Sequence, residues 1–322
     1  AWIVLAQPVE LLAEQEEAAD RIVALPAEHQ VELVAVAGDL FDRAIPPAPA
    51  VELLDRTLAR LRATGARVAA ISGNHDSAVR VRVHDRLLNE LGVALRGEAA
   101  RVAEPLVLDR PADGGPPVAV YLVPFLEPSV DGPVLAALGR AEPDAADAGD
   151  EAAPEETGSA RLTHDGAARL ATRRIREHLA TLGPVRSVVV AHAFVAGGRV
   201  SDSERDLSVG GTDRVAEAAF DGFDLVALGH LHAPQEVAGP RLAYSGSPLP
   251  LASAASHSSG PWTRPSPQFG PNLHSVVQPL YTVSLLFGPK SQFSWSCHTN
   301  PSPQTGRLQA MLHSPTVSPL LA

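Results

Sequence analysis

The chain has 322 residues and a mass of 33.7 kDa, with 45% hydrophobic and 20% charged residues, enough for one large core or two smaller ones. Its formal net charge of −11 argues against binding nucleic acid through a generally basic surface. The single cysteine, Cys297, excludes an internal disulfide framework and a cysteine-rich zinc module. No apolar run approaches the roughly 20 residues that span a bilayer, so we expect a cytoplasmic protein with no membrane partner.

Helical and strand patterns alternate through the chain up to about residue 230. Amphipathic spacing predicts helices over 9–25, from Pro46-Pro47 to Gly65, near 83–91 and over 167–182. Short apolar runs predict strands over 31–37, 67–71, 118–123, 187–191 and 225–228. Because the strands are apolar throughout, we predict an α/β protein whose sheets are covered on their faces.

Two stretches depart from this alternation. The acidic, Ala/Pro/Gly-rich stretch 139–160 lacks any period and is predicted to be a flexible insertion. From residue 251 onward there are 13 Ser and 10 Pro in 72 residues and no acidic residue. We therefore predict a domain over 1–250 and a disordered low-complexity tail over 251–322, which could also be an out-of-frame translation. Residue 1 is Ala and the only methionine is Met311, as expected for a chain whose start is missing.

The chemistry-bearing residues lie at the ends of four predicted strands. Each end has one or two small residues and then a side chain that can bind metal: Asp39, Asn74-His75, His192, and His230 with His232. Ligands of open α/β sheets gather outside the carboxyl ends of strands. This set of oxygen and nitrogen ligands suits Mn²⁺, Fe²⁺ or Zn²⁺ in a hydrolytic site, and argues against a calcium cage or an iron–sulfur cluster.

Each feature alone also has an ordinary structural explanation. Gly38-Asp39 alone is typical of a turn after a strand, and His192 alone is typical of a core histidine. The metal-site hypothesis depends on the combination at successive strand ends. The remaining histidines of the first 250 residues are predicted to be solvated: His29, His84, His164 and His178.

The order of these motifs resembles the calcineurin-like metallophosphoesterases. The segments that resemble the SbcD family of that superfamily most closely are AGDLFDRAIPP (37–47), ISGNHDS (71–77), VVVAHAFVAGG (188–198), SDSERDLSVGG (201–211), FDGFDLVALGHLH (220–232) and YSGSPL (244–249). The resemblance implies a four-layer α/β/β/α sandwich and two divalent metal ions, with Mn²⁺ expected. It also implies cleavage of DNA ends and hairpins, in a heteromeric complex with an SbcC-like ABC-type ATPase; a homodimer of this subunit is a further expectation.

The resemblance also assigns roles residue by residue. Asp39 would bridge the two metals; Asn74, His192 and His230 would complete one of them, and His232 would bind the other. His75 would act as a catalytic residue that stabilises charge on the phosphoryl group or protonates the leaving oxygen. Asp76 is predicted with His75 as a catalytic residue, and together with Asp42 it would orient the metal ligands. Water held between two cations would attack phosphorus in line.

One departure from the family affects the expected activity. The family begins with a strand and a D-x-H motif, whereas residues 1–8 contain neither Asp nor His. The first strand is therefore expected to be missing or altered, the first metal to keep only Asp39 and His232, and the chain as given to have little or no nuclease activity. Two other functions stay open: a phosphoesterase acting on small phosphodiesters or phosphoproteins, and a non-catalytic scaffold.

Overall fold

The computed structural model describes residues 10–109, 114–138, 162–199, 213–247, 285–286 and 294–295. The helices are α1 (Glu10–His29), α2 (Ala48–Ala63), α3 (Ala78–Val81), α4 (Asp85–Glu90), α5 (Pro128–Leu138) and α6 (His164–Thr181). The strands are β1 (Leu33–Val36), β2 (Arg67–Ile71), β3 (Val93–Arg96), β4 (Leu106–Leu108), β5 (Val118–Val123), β6 (Arg186–His192), β7 (Phe194–Val195), β8 (Arg214–Val215), β9 (Leu225–Gly229), β10 (Gln235–Glu236), β11 (Leu242–Tyr244), β12 (Leu285–Leu286) and β13 (Ser294–Trp295). Two 3₁₀ turns complete the list, Ala99–Arg101 and Glu217–Phe220.

Two sheets form the centre of the protein. The smaller sheet has the order β1-β2-β3 and is parallel throughout. The larger has the order β10-β11-β9-β6-β5-β4, with β11, β9, β6 and β5 parallel and the two edge strands antiparallel. β7 with β8 and β12 with β13 form separate two-stranded pairs.

Three layers of apolar side chains hold the sheets and helices together. Side chains such as Leu33 and Ile71 of the smaller sheet pack between the sheets against Val120 and Val190 of the larger. The other face of the smaller sheet packs against α1 and α2, and the other face of the larger sheet against α5 and α6. The order is helix, sheet, sheet, helix, so the predicted four-layer α/β architecture is confirmed.

The element bounds match the predictions closely in the larger strands. β2 and β5 have the predicted ends, and β6 and β9 extend the predictions by one or two residues. The predicted helix over 9–25 is longer, since α1 continues through Pro26 to His29. The predicted helix near 83–91 is the shorter α4, while α3 was not predicted; a turn in which His84 has a φ of 64° separates the two.

Several predictions concern residues outside the described ranges. The predicted insertion 139–160 and nearly all of the tail 251–322 lie there, as do residues 1–8, so the division into domain and tail stays a prediction. Among the described residues, no helix combines the length and apolar character that crossing a membrane would need.

Candidate metal centre

The carboxyl ends of β1, β2, β6 and β9 meet at one edge of the two packed sheets. Ala37, just after β1, accepts a hydrogen bond from His192 of β6 (Nδ1–O 2.7 Å), which joins the smaller sheet to the larger. The loop after β2 reaches the same place, because the backbone N–H of His75 donates to Asp39 Oδ1 (3.1 Å). The fold therefore brings together side chains that are far apart in the sequence, from Asp39 to His230.

His192 is held with one ring nitrogen turned toward two oxygen atoms. Its ring is fully buried, and a carbonyl oxygen only accepts hydrogen bonds, so Nδ1 carries the proton that Ala37 receives. When a metal ion is bound, Nε2 of the neutral ring provides the lone pair that binds it. This atom lies 3.0 Å from Asn74 Oδ1 and 3.4 Å from Asp39 Oδ2. The hydrogen bond on the opposite nitrogen is the usual way in which a metal-binding histidine is oriented.

His230 approaches the same amide oxygen from the other side. Its Nδ1 lies 3.1 Å from Asn74 Oδ1, and its ring stands at 87° to that of His192 with the centroids 5.3 Å apart. Ring atoms of both histidines are therefore directed at Asn74, which lies between them.

The type and the spacing of these oxygen and nitrogen atoms fit a divalent cation. Two ligands at right angles on a metal with bonds of about 2.1 Å are about 3 Å apart, close to the distances from Asn74 Oδ1 to His192 and His230. Within the described ranges no three His, Cys, Asp or Glu side chains form a metal-binding group by themselves. The amide oxygen of Asn74 is therefore needed to link Asp39 and the two histidines into one ligand set.

The electrostatics favour neutral rings at His230 and His232 and an ionised carboxylate at Asp39. Burial lowers the pKa of His230 to about 3 and that of His232 to about 4, so both rings keep lone pairs at neutral pH. Burial alone would raise the pKa of Asp39, but in the absence of metal the positive charge and hydrogen bond of His192 bring it well below its ordinary value. Asp39 is therefore ionised beside a positive charge, and a bound metal cation would take over the stabilisation of that carboxylate.

Unusual backbone conformations position two of the candidate ligands. Asp39 has a φ of 51° and His230 a φ of 108°, both in the region that favours glycine. Neighbouring glycines leave the space for this arrangement: a Cβ on Gly38 would overlap the ring of His192, and a Cβ on Gly73 would overlap the Asp39 carboxylate. Strain at non-glycine residues accompanies functional sites more often than ordinary turns.

Asp76 fastens the two ligand loops to each other. Its carboxylate accepts hydrogen bonds from the backbone N–H groups of Leu40, Phe41 and Gly73, each 2.9 Å long. Burial raises the pKa of Asp76 although these hydrogen bonds oppose the rise. The side chain therefore orients the loops that carry Asp39 and Asn74 and makes no contact of its own with the candidate ligand atoms that the structure describes.

His75 is the exposed member of the group. Its Nδ1 lies 3.0 Å from the carbonyl oxygen of Asp42, so Nδ1 carries a proton and Nε2 is left to exchange one. Asp42 thus acts through its backbone, while its carboxylate lies 3.4 Å from Arg43.

The structure links Asp39, Asn74, His192 and His230 by side-chain contacts, and the backbone N–H of His75 joins them at Asp39. His232 lies near this group, since the negative charge of Asp39 opposes the lowering of the His232 pKa. The metal and catalytic roles of these residues stay predictions.

Sequence reasoning was wrong about two other histidines and missed two aromatic neighbours. His164 packs on Phe125 with centroids 5.5 Å apart, and His178 Nδ1 lies 3.0 Å from Tyr121 Oη, so neither is simply solvated. Phe125 and Phe194 pack against His192 and His230 respectively, at 6.2 and 6.0 Å. Their only sequence signal is proximity to a strand end, which many core phenylalanines share.

Comparison with known proteins agrees with this geometry. The calcineurin-like phosphoesterase family matches residues 11–234, more than half of the chain, so the chain belongs to that family. The family resemblance predicted from the sequence motifs is confirmed.

Three individual relatives show which members of the family the chain is similar to. The chain is 32% identical over 244 residues to the SbcD subunit of the nuclease SbcCD of Bacillus subtilis (strain 168), which covers 74% of this chain and 56% of the relative. It is 28% identical over 247 residues to the same subunit of Escherichia coli (strain K12), with the same two coverages. It is 33% identical over 233 residues to that of Rhodobacter capsulatus, covering 70% of this chain and 54% of the relative. The chain therefore spans just over half the length of these curated relatives.

Proposed function

We propose that the chain provides the catalytic domain of a metal-dependent DNA nuclease that hydrolyses phosphodiester bonds at DNA ends and hairpins, in repair, recombination and replication. The observation that carries the proposal is the convergence of Asp39, Asn74, His192 and His230 on one small volume, with a ring nitrogen of each histidine 3.0 or 3.1 Å from Asn74 Oδ1. The relatives named as nuclease subunits supply the substrate class.

Two divalent ions, with Mn²⁺ as the expected metal, are the proposed cofactors. Asp39, Asn74, His192 and His230 would hold one ion, and Asp39 with His232 would contact the second. Such ions lower the pKa of bound water and neutralise phosphoryl oxygens. Because the described residues provide fewer donors for the second ion, we expect it to bind weakly and turnover to be slow.

The chain's own residues would then position the substrate and move protons. His75 has its Nδ1 fixed on the Asp42 carbonyl and its ring open to solvent. Its Nε2 can donate a proton to the leaving oxygen or a hydrogen bond to the phosphoryl group. Asp76 would hold the loops of Asn74 and Asp39 in fixed relative positions through the three backbone hydrogen bonds that it accepts.

We also propose two partners. An SbcC-like ATPase is proposed because the relatives are each one subunit of a complex. The proposed compartment of the complex is the cytoplasm. A homodimer is proposed because four apolar side chains in α3, α4 and the turns beside them are 48–66% exposed: Val79, Val83, Leu87 and Leu91.

Hydrolysis of two substrates tests the function. Wild type, Asp39→Ala and the exposed-surface control Asp55→Ala are compared on hairpin DNA and on bis(p-nitrophenyl) phosphate, with Mn²⁺ or with EDTA. We expect slow, Mn²⁺-dependent cleavage of the hairpin that Asp39→Ala abolishes and Asp55→Ala leaves unchanged.

Other outcomes support the other functions. Hydrolysis of the small phosphodiester alone favours an enzyme for small substrates or phosphoproteins, which the net charge of −11 also suits better than DNA. One Mn²⁺ or none per chain, with no cleavage of either substrate, favours a non-catalytic scaffold, whereas about two Mn²⁺ per chain favours an enzyme that is impaired in the chain as given. Hairpin cleavage that survives Asp39→Ala would contradict the proposed site.

A further inference from the structure

An arginine is stacked on the aromatic neighbour of the metal centre. Phe194 of β7 packs against the ring of His230, with centroids 6.0 Å apart and the rings at 32°. The Arg214 guanidinium of β8 lies over the ring of Phe194, with Cζ 5.1 Å from the centroid. His230, Phe194 and Arg214 therefore form a continuous stack that leads from the candidate metal centre toward solvent.

The guanidinium of Arg214 is available to a ligand. The side chain is exposed, and among the residues that the structure describes it has no hydrogen-bond or ion-pair partner. A second arginine that lies over a phenylalanine differs in that its guanidinium has hydrogen-bond partners. Arg176 lies over Phe223 at 4.9 Å, but it also donates hydrogen bonds to the carbonyl oxygens of Ala219 and Asp221. Arg176 thus fastens a turn, whereas the donors of Arg214 face outward.

The backbone around Arg214 is anchored on both sides. The N–H of Ala196, just after β7, donates to the carbonyl oxygen of Val215 (2.8 Å), and the N–H of Ala216 donates to Asp165 Oδ1 at the start of α6 (2.8 Å). The adjacent carboxylate of Asp213 lies 3.8 Å from His164 Nε2. The stacking on Phe194 and these backbone hydrogen bonds already restrict Arg214, so binding a ligand costs it less conformational entropy.

We propose that Arg214 is a positioning residue that binds a DNA backbone phosphate beside the scissile bond. The inference rests on the proposed nuclease function. The guanidinium presents a planar fork of donors that matches two phosphate oxygens. The stacking distances place it no more than about 11 Å from the His230 ring. Successive phosphates rise about 3.4 Å along a strand, so Arg214 can reach a phosphate within about three nucleotides of the centre. In a chain with a net charge of −11, a cation fixed at this place offsets local repulsion of DNA.

Equilibrium binding of a fluorescein-labelled hairpin DNA, measured by anisotropy from 50 to 200 mM salt in EDTA, tests the role without any cleavage. The variants are Arg214→Ala, Arg214→Lys and Arg173→Ala, the last removing an exposed arginine of α6. We expect Arg214→Ala to raise Kd about 5–10-fold at 100 mM salt and to reduce the slope of log K against log salt by about 0.9. Arg214→Lys should restore the slope but only part of the affinity, because lysine lacks the planar fork. Arg173→Ala should stay within about twofold of wild type.

Measurements of thermal unfolding, Mn²⁺ affinity and wild-type hairpin binding distinguish a failure of this inference from a failure of the proposed nuclease function. Thermal unfolding should be unchanged in Arg214→Ala, and so should Mn²⁺ affinity, since the arginine contacts no candidate ligand directly. An Arg214→Ala chain that binds the hairpin like wild type, or loses affinity with an unchanged salt slope, overturns the inference and leaves the nuclease proposal standing. A wild-type chain that binds no hairpin DNA at any of these salt concentrations overturns the proposed function and the inference with it.

Discussion

Two aspartates, Asp39 and Asp85, are equally buried, with 3% of each side chain exposed, yet their surroundings are opposite. Asp85 at the start of α4 pairs with Arg96 of β3 (2.5 Å) and with Arg101, and it accepts the backbone N–H of Leu95 (2.9 Å). Asp39 contacts His192 at 3.4 Å and the backbone N–H of His75 at 3.1 Å. Within the described part of the chain no arginine or lysine pairs with it.

The difference separates a structural carboxylate from a ligand-binding one. A buried charge is expensive unless it is paired, and at Asp85 the chain provides the opposite charges itself. Around Asp39 the chain instead provides the amide oxygen of Asn74, the ring of His192, and the rings of His230 and His232, whose pKa values burial lowers. That arrangement becomes favourable when a cation from solution occupies it. The first site therefore stabilises the fold, and the second is expected to bind metal.

The largest expected effect is on folding stability, through the ion cluster of Asp85, Arg96 and Arg101. Asp85→Asn should lower the free energy of unfolding by about 3–5 kcal/mol, because it leaves the guanidinium of Arg96 buried without its counter-charge. Urea unfolding in EDTA measures this, with Asp55→Asn on the exposed face of α2 as the control. A loss below about 1 kcal/mol would show that the cluster does not stabilise the fold.

The matching change at Asp39 should act mainly on metal binding. In Asp39→Asn the free energy of unfolding in EDTA should fall by about 1–3 kcal/mol, less than in Asp85→Asn, because the lowered pKa of Asp39 means that its charge is favoured in the folded chain. Wild type should gain about 2.7 kcal/mol in Mn²⁺ at a hundred times its Kd, and the variant should lose that gain. Equal stabilisation of both chains by Mn²⁺ would contradict the assignment of Asp39.

Asp76 offers an intermediate case, since backbone N–H groups rather than arginines satisfy its carboxylate. Asp76→Ala removes the acceptor of three backbone hydrogen bonds, so we expect a loss of about 1–3 kcal/mol in stability. Because the loops that carry Asp39 and Asn74 are released together, Mn²⁺ affinity should also fall about 10-fold or more. Calorimetric titration of Mn²⁺ measures the second effect, and unchanged affinity would show that the loops hold without Asp76.

The last effect concerns pH in the absence of metal and is small only near neutral pH. The pKa values of His230 and His232 are lowered to about 3 and about 4, so the unfolded chain takes up protons first as the pH falls below about 6.5. Stability should therefore fall between pH 6.5 and 4, by at most about 1.4 kcal/mol per histidine for each pH unit, with most of the loss below pH 6. His230→Asn with His232→Asn should flatten this part of the profile, and an identical slope in the double variant would contradict the cause.

Regular patterns in the sequence predicted the larger strands well and named the candidate site residues, whose roles stay predictions. β2 and β5 were predicted to the residue, because an apolar run bounded by Gly or Pro is unambiguous. β3 and β4, with four and three residues, were missed because so short a run carries no period. The candidate ligands were found because each follows a strand end within a recognisable motif.

What the sequence could not predict depends on tertiary contacts. The hydrogen bond from His192 to Ala37, which sets the tautomer of the ring, joins residues 155 positions apart. The pairing of Asp85 with Arg96 and Arg101 follows no motif, and neither does the stack of Arg214 on Phe194. His178 was predicted to be solvated because the helix pattern alone does not show that Tyr121 reaches it from the sheet.

Anomalous X-ray scattering from crystals of the chain soaked in Mn²⁺ tests the central claim most directly. The account predicts a manganese peak about 2.0–2.3 Å from Asn74 Oδ1, His192 Nε2, His230 Nδ1 and an oxygen of Asp39. A well-ordered crystal at saturating Mn²⁺ with no peak between these four side chains, or with its main peak elsewhere, would contradict it.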